Sequence, residues 1–172
     1  MERVKQLYEL YKGPIMRYFL RLTGNKEDAV ELTQETFYQA CLSIHRFGQR
    51  SSAKTWLFAI ARNVYLKSIS RRGRDMSTPW GDKPFPEMKD SEARDPGEMI
   101  VIKEEWENIA YALLQLSETA RTILILKEYE QLSYEEISEI FGQSVNWARV
   151  TFFRAKKQLY KVYQELQGDD VQ

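Results

Sequence analysis

SYEEISEIFGQSVNWARVTFFRAKKQL, residues 133–159, decides how the rest of the chain is read. Ser133 is a good N-cap. Glu136, three residues later, completes a capping box in which each side chain takes the other's free backbone N–H. Ile137, Ile140 and Phe141 recur at helical spacing. Gly142 stands where a residue of positive φ ends a helix, and Ser144 is placed to cap the next one. In that next helix Val145, Ala148, Phe152, Ala155 and Leu159 step by three and four and give one apolar face. Asn146, Trp147, Arg149, Val150, Phe153 and Arg154 point elsewhere, and Lys156, Lys157 and Lys161 add charge beyond them. A short capped helix, a glycine turn and a long basic helix predict a helix-turn-helix, whose second helix fits the DNA major groove. From this segment alone, the rival is an ordinary amphipathic helix with a solvated basic face.

A chain of 172 residues holds one domain or two small ones. Its aromatic content of 13% argues against disorder of the whole. The 25 Lys and Arg balance the 25 Asp and Glu. Net neutrality disfavours indiscriminate nucleic-acid binding, but the charges are segregated. Basic residues gather at Arg62–Arg74 and Arg149–Lys161, acidic ones at Glu27–Glu35, Asp82–Glu107 and Glu128–Glu139. Two basic clusters far apart predict two contacts with a polyanion. No apolar run approaches a membrane span, so no direct membrane insertion is expected. MERVKQLYELYKGP has no apolar signal core, and a reducing cytoplasm fits the single cysteine. Cys41 lies in a helical apolar pattern and is expected to be a buried, inert thiol. With His45 it offers two ligands, too few for a metal site. One His, one Cys, no phosphate-cradling glycine loop and no serine elbow argue against an enzyme, a cofactor or a small-molecule substrate.

The chain divides by composition. Residues 1–75 read as one helical unit. Leu7, Leu10 and Tyr11 begin an apolar face, Pro14 is expected to interrupt or restart the helix, and Ile15, Phe19 and Leu22 continue the period. Thr23-Gly24-Asn25 makes a turn. Val30, Thr33, Phe37, Ala40, Cys41 and Ile44 mark the expected inner face of a helix from about Glu27. After a polar loop, Arg46–Ser52, another helix runs from about Ala53 to Arg72 on Trp56, Leu57, Ile60, Ala61 and Val64. Residues 76–98, rich in proline and charge, have linker composition. Residues 99–172 form the second unit: Ile109, Leu113, Leu114 and Leu116, a helix capped by Ser117, the helix-turn-helix and a polar tail. The expected fold is all-α, two small helical domains joined by a flexible linker.

Three segments now point to one family. DAVELTQETFYQA (28–40), KTWLFAIARNVYLKSISRR (54–72) and SYEEISEIFG…RAKKQL resemble segments of the extracytoplasmic-function group of bacterial sigma-70 factors, in that family's order and spacing. The resemblance covers nearly all the chain except the linker. It implies a promoter-recognition factor that joins core RNA polymerase, opens a −10 element with residues 1–75 and reads a −35 element with residues 99–172. It also implies weak DNA binding by the free protein and sequestration by an anti-sigma factor. A stand-alone helix-turn-helix regulator, acting on duplex DNA without polymerase, is the alternative. The docking and −10 segments argue against it.

By resemblance, Asp28, Leu32, Gln34, Glu35 and Phe37 belong to the polymerase-binding motif, although the spacing of Phe37 also fits the buried face. Asn63, Lys67, Arg71 and Arg74 step by four, four and three, which sets one amide and three cations in a stripe. Cations bind phosphate and Asn can read a base edge. The resemblance puts Asn63 at a base-reading position and makes Arg62, Asn63, Lys67, Arg71 and Arg72 the −10 set. Arg62, off the stripe, takes either phosphate or an acidic partner. Phe47, Gly48 and Gln49 fall where family members capture a base flipped from the −10 strand. Trp147, Arg149, Val150, Phe153, Arg154 and Lys157 form the −35 set. Here the chain departs from the family, which commonly has Thr at 147, Ser at 150 and Arg at 151. Val150 and Phe153 favour apolar contact with thymine methyls over hydrogen bonding, and Trp147, if exposed, is a protein contact.

Overall fold

The structure, a computed structural model, describes residues 1–72 and 96–169, with side chains at 1–72 and 105–168. The described residues form helices and the turns between them. Helix α1 (Glu2–Thr23) ends at Gly24, whose φ of 63° lets its N–H reach back to the Leu20 carbonyl at 2.8 Å. Asn25 caps α2 (Lys26–Ser43) by accepting the Asp28 N–H. After a short 3₁₀ turn (Ile44–Arg46) and the polar loop comes α3 (Ala53–Arg72). Helix α4 (Pro96–Leu114) leads to α5 (Glu118–Leu124), which Ser117 caps. A π-helical turn (Ile125–Tyr129) comes next, then α6 (Tyr134–Phe141) and α7 (Val145–Asp169). The expected linker falls mostly on 73–95, which with Arg74 lie outside the described residues. Helix α4 begins at Pro96, inside the segment read as linker; proline suits a first helical position because that N–H has no helical partner. Helix α7 takes in the start of the expected polar tail.

Pro14 does not break α1. A proline ring clashes with the Cβ of a preceding helical residue, and Gly13 has none. Ile15, Tyr18, Phe19 and Leu22, all fully buried, then hold the second half of the helix on the core and offset the lost hydrogen bond.

Helix α2 corrects a second expectation, since Cys41 is exposed. The inward positions are Ala29, Leu32, Thr33, Thr36, Phe37 and Ala40. The two threonines serve there because their hydroxyls donate to the Ala29 and Leu32 carbonyls at 2.6 and 2.7 Å, leaving methyl groups to pack. Phe37 stands at one edge of that inward stripe, and Cys41, rotated a further ~40° round the helix, falls outside it.

The buried apolar side chains form one continuous core rather than two. It runs from Leu7 and Phe19 through Phe58 and Ala61 to Ile123, Ile137 and Phe152. Helix α3 packs on α6, and α1 on α4 and the π-helical turn.

Glu130 closes that π-helical turn, its N–H donating to the Ile125 carbonyl, and its carboxylate is buried. Burial raises its pKa above the usual carboxylate value, and the cations of Lys54, Arg21 and Arg17 only partly offset this. A carboxyl whose folded pKa is raised contributes stability below its unfolded pKa and loses it as pH rises through the folded one. Glu130→Gln should therefore melt at or above the wild-type temperature at neutral pH. The wild type should gain on the variant as pH falls through the carboxylate range. Thermal melts of both proteins across pH check this, and a variant advantage that grows toward acid would refute it.

Candidate nucleic-acid interface

The helix-turn-helix forms from local chemistry. The Ser133 hydroxyl accepts the Glu136 N–H at 3.1 Å, and the Glu136 carboxylate accepts the Ser133 N–H at 2.8 Å. Gly142 closes α6 at φ 63°, and Ser144 accepts the Trp147 N–H at 3.0 Å to start α7. Ala148, Phe152 and Ala155 are buried, with Val145 and Leu159 half-buried beside them. This fixes which side of α7 meets solvent: Arg149, Val150, Phe153, Arg154 and Lys157 are all exposed. The Arg149 guanidinium lies 5.4 Å from the centre of the Tyr134 ring, and Lys156 pairs with Glu128 at 3.4 Å. Trp147 does not stand out as a free aromatic. It is half-buried against Phe141, ring centres 5.1 Å apart, because α6 ends beside it.

On α3, Asn63, Lys67, Arg71 and Arg72 are exposed and Arg62 is not. The Arg72 guanidinium is bound through two nitrogens to the Asp28 carboxylate, at 2.6 and 2.7 Å. This bond raises the Arg72 pKa further and ties the end of α3 to the start of α2. On α2, Gln34 and Glu35 are exposed, Asp28 is half-buried under Arg72, and Leu32 and Phe37 are buried. Those two act as the packing beneath that face. In the loop, Phe47 stacks on Trp56 at 4.7 Å with Arg3 at 5.1 Å from its ring centre. Gly48 and Gln49 are exposed, and Gln49 holds a positive φ of 55°, uncommon for a residue with a side chain.

Arg62 is turned inward to the second helical group. Its guanidinium reaches both carboxylate oxygens of Glu118 at 3.4 Å and lies 4.0 Å from the centre of the Phe141 ring. Other polar contacts join the same two helical groups. Lys54 donates to the Glu130 carbonyl at 2.8 Å, and the Thr55 hydroxyl to Glu136 at 3.3 Å. Arg121 donates at 2.7 Å to the Leu22 carbonyl, one of the last carbonyls of α1, which lack helical partners. Among the described residues no group of three or more His, Cys, Asp or Glu could hold a metal ion, and no helix is long and apolar enough to cross a membrane.

Residues 7–75 match the family Sigma-70 region 2, and residues 106–159 match Sigma-70, region 4. The chain is 32% identical to RNA polymerase sigma factor YlaC of Bacillus subtilis (strain 168), over 93% of this chain and 91% of that protein. It is 26% identical to ECF RNA polymerase sigma factor SigM of the same organism, over 97% and 99%. The chain belongs to the extracytoplasmic-function group of the sigma-70 family. Its fold is that of the sigma factor RpoE from Bartonella quintana, solved in complex with the anti-sigma factor NepR. The two share a TM-score of 0.75 at 22% identity, over 95% of this chain and 98% of that one.

This sigma factor directs transcription initiation by RNA polymerase, carries a DNA-binding helix-turn-helix in region 4, and is not an enzyme. The reading as a stand-alone regulator gives way to it. Region 2 and region 4 meet through residues that the sequence does not single out: Lys54, Glu118, Arg121 and Glu130. Arg62 lies in a basic cluster, but Glu118 lies outside every acidic one, so nothing in the sequence pairs the two. Lys54 and Arg121 reach backbone carbonyls, which leave no mark in a sequence.

The Arg62–Glu118 pair is mostly buried on both sides, so its partners should be energetically coupled. A double-mutant cycle of Arg62→Ala and Glu118→Gln, read out by urea unfolding, should give a coupling of about 0.5–3 kcal/mol. Additive losses would mean that the pair does not hold the two regions together.

Proposed function

We propose that region 2, residues 1–75, docks on core polymerase and opens the −10 element, while residues 99–172 read the −35 element. The observation that carries this is the pair of separate DNA-suited faces. One is the exposed side of α7 with Arg149, Arg154 and Lys157, and the other is the exposed stripe of α3 with Asn63, Lys67 and Arg71. Cations on both faces supply phosphate contacts, and a few side chains between them supply base contacts. Gln34 and Glu35 on α2 form the polymerase-docking face with Asp28, seated on Leu32 and Phe37. Phe47, Gly48 and Gln49 receive a flipped −10 base, stacked by Phe47. Trp147 acts by bracing the start of α7 on Phe141 rather than by touching DNA.

Arg62 belongs to the −10 set, but Glu118 and Phe141 hold it. Full engagement of the −10 strand therefore requires the two regions to part. Core polymerase drives that separation, and an anti-sigma factor opposes it by binding the closed form. The protein works in the cytoplasm, where its polymerase is.

Run-off transcription with core polymerase and a promoter library tests the reading. A promoter-dependent product is expected. Arg149→Ala should lower −35-dependent transcription roughly tenfold, as loss of a base or phosphate contact of about 1–3 kcal/mol would, and leave core binding intact. Loss of core binding in that variant would show that the DNA face is misplaced. No promoter-dependent product, alongside an active control sigma factor, would end the proposal.

A further inference from the structure

Asn146, Val150, Phe153 and Lys157 are spaced by four, three and four, so they share one side of α7. That side is opposite the buried Ala148, Phe152 and Ala155. Val150 is 38% exposed and Phe153 56%. Single exposed apolar residues are ordinary on a protein surface. These two are adjacent, at the centre of a face whose rim is cationic: Arg149 on one side, Arg154 on the other, Lys157 a turn further on. The Phe153 ring meets Phe152 edge-on at 5.9 Å, which steadies it against the core while leaving its outer edge open. A cationic rim around an apolar centre suits a polyanion that itself presents apolar groups.

Resting on the reading of α7 as the −35 reader, we infer that Val150 and Phe153 recognise thymine C5-methyl groups in that element. The major-groove edge of thymine carries a methyl that no other base of unmodified DNA has there. Val and Phe gain from burying it. They can neither donate to nor accept from the cytosine amine or the guanine O6 that a C·G pair would present, so those groups lose water without a replacement bond. Attraction to one base and a penalty for the other act in the same direction. The selectivity at these positions is therefore for T·A pairs and is apolar in origin.

The test is run-off transcription with core polymerase on −35 elements selected by the wild-type protein from a randomised library. Each thymine of a selected element is then replaced singly by deoxyuridine, which keeps the pairing and removes only the methyl. At one or two positions transcription should fall about fourfold, the ratio that burying one methyl-sized group gives. Phe153→Ala and Val150→Ala should each lower activity on the thymine promoter and remove deoxyuridine sensitivity at one of those positions. Both side chains are exposed, so neither change empties the core. Selected elements without thymine would overturn the inference. So would indifference to deoxyuridine at every position, or sensitivity that survives both substitutions. In those cases a −35 dependence still lowered by Arg149→Ala would leave the reading of α7 standing. Transcription independent of the −35 sequence would remove both.

Discussion

The Arg62 guanidinium is the interaction on which the arrangement of this sigma factor turns. It projects from α3 and meets Glu118 of α5 and Phe141 of α6 together. Arginine suits the position because its charge is spread over a flat, weakly hydrated group that can take a carboxylate in its plane and an aromatic ring on its face. A lysine would keep the charge and lose the stacking. Because the pair is mostly buried, neither charge can be left behind without cost. The contact is thus stable while both partners stay and unfavourable when one goes. An anion in place of Glu118 satisfies the same requirement, and a DNA phosphate is such an anion. Under the proposed function, one side chain can therefore hold the regions together or help hold the promoter.

The other polar contacts between the regions are of a different kind. Lys54 and Arg121 bind carbonyl oxygens at helix ends, where the helix geometry leaves acceptors unpaired. Such contacts satisfy groups that water would otherwise satisfy, so breaking them in solution costs little. Glu136 lends one carboxylate oxygen to its own capping box and the other to Thr55 of region 2. The cap holds α6 in place for α7 whether or not Thr55 is present. The apolar core continues across the boundary, so separation exposes some apolar surface. That cost has to come from binding another surface.

The helix-turn-helix was legible to the residue because its signals are local. Ser133, Glu136, Gly142 and Ser144 each act within a few positions along the chain, and each does what its spacing implies. The apolar face of α7 came from the same period. The features hidden from the sequence depend on distant neighbours. Pro14 is tolerated because Gly13 lacks a Cβ and four buried side chains anchor the second half of α1. Cys41 points outward because threonines, with hydroxyls tied to their own helix, fill the inner face. Trp147 lies against Phe141 because the turn brings the end of α6 to it. The site residues divide in the same way. Exposure of Asn63, Lys67, Arg149 and Phe153 is a consequence of helical period. The capture of Asp28 by Arg72 and of Arg62 by Glu118 requires knowing which helices meet. Similarity to known families supplied the order of the segments, and packing supplied the partners.

Net neutrality acquires a meaning from this geometry. Arg72 is neutralised by Asp28 and Arg62 by Glu118, while Arg149, Arg154 and Lys157 remain on the open face of α7. The two regions thus differ in how ready their cations are. Those of α7, with Lys67 and Arg71 of α3, face solvent, whereas Arg62 and Arg72 are engaged by carboxylates. Since each phosphate neutralised releases a condensed counterion, the salt dependence of DNA binding counts the cations engaged. Under the proposed function, a closed molecule lacks Arg62 for DNA and so engages fewer cations. Under the same proposal, an opened one adds Arg62, and its affinity should depend more steeply on salt. Acidic residues thus hold Arg62 and Arg72 of the α3 set, while Lys67, Arg71 and the cations of α7 stay exposed.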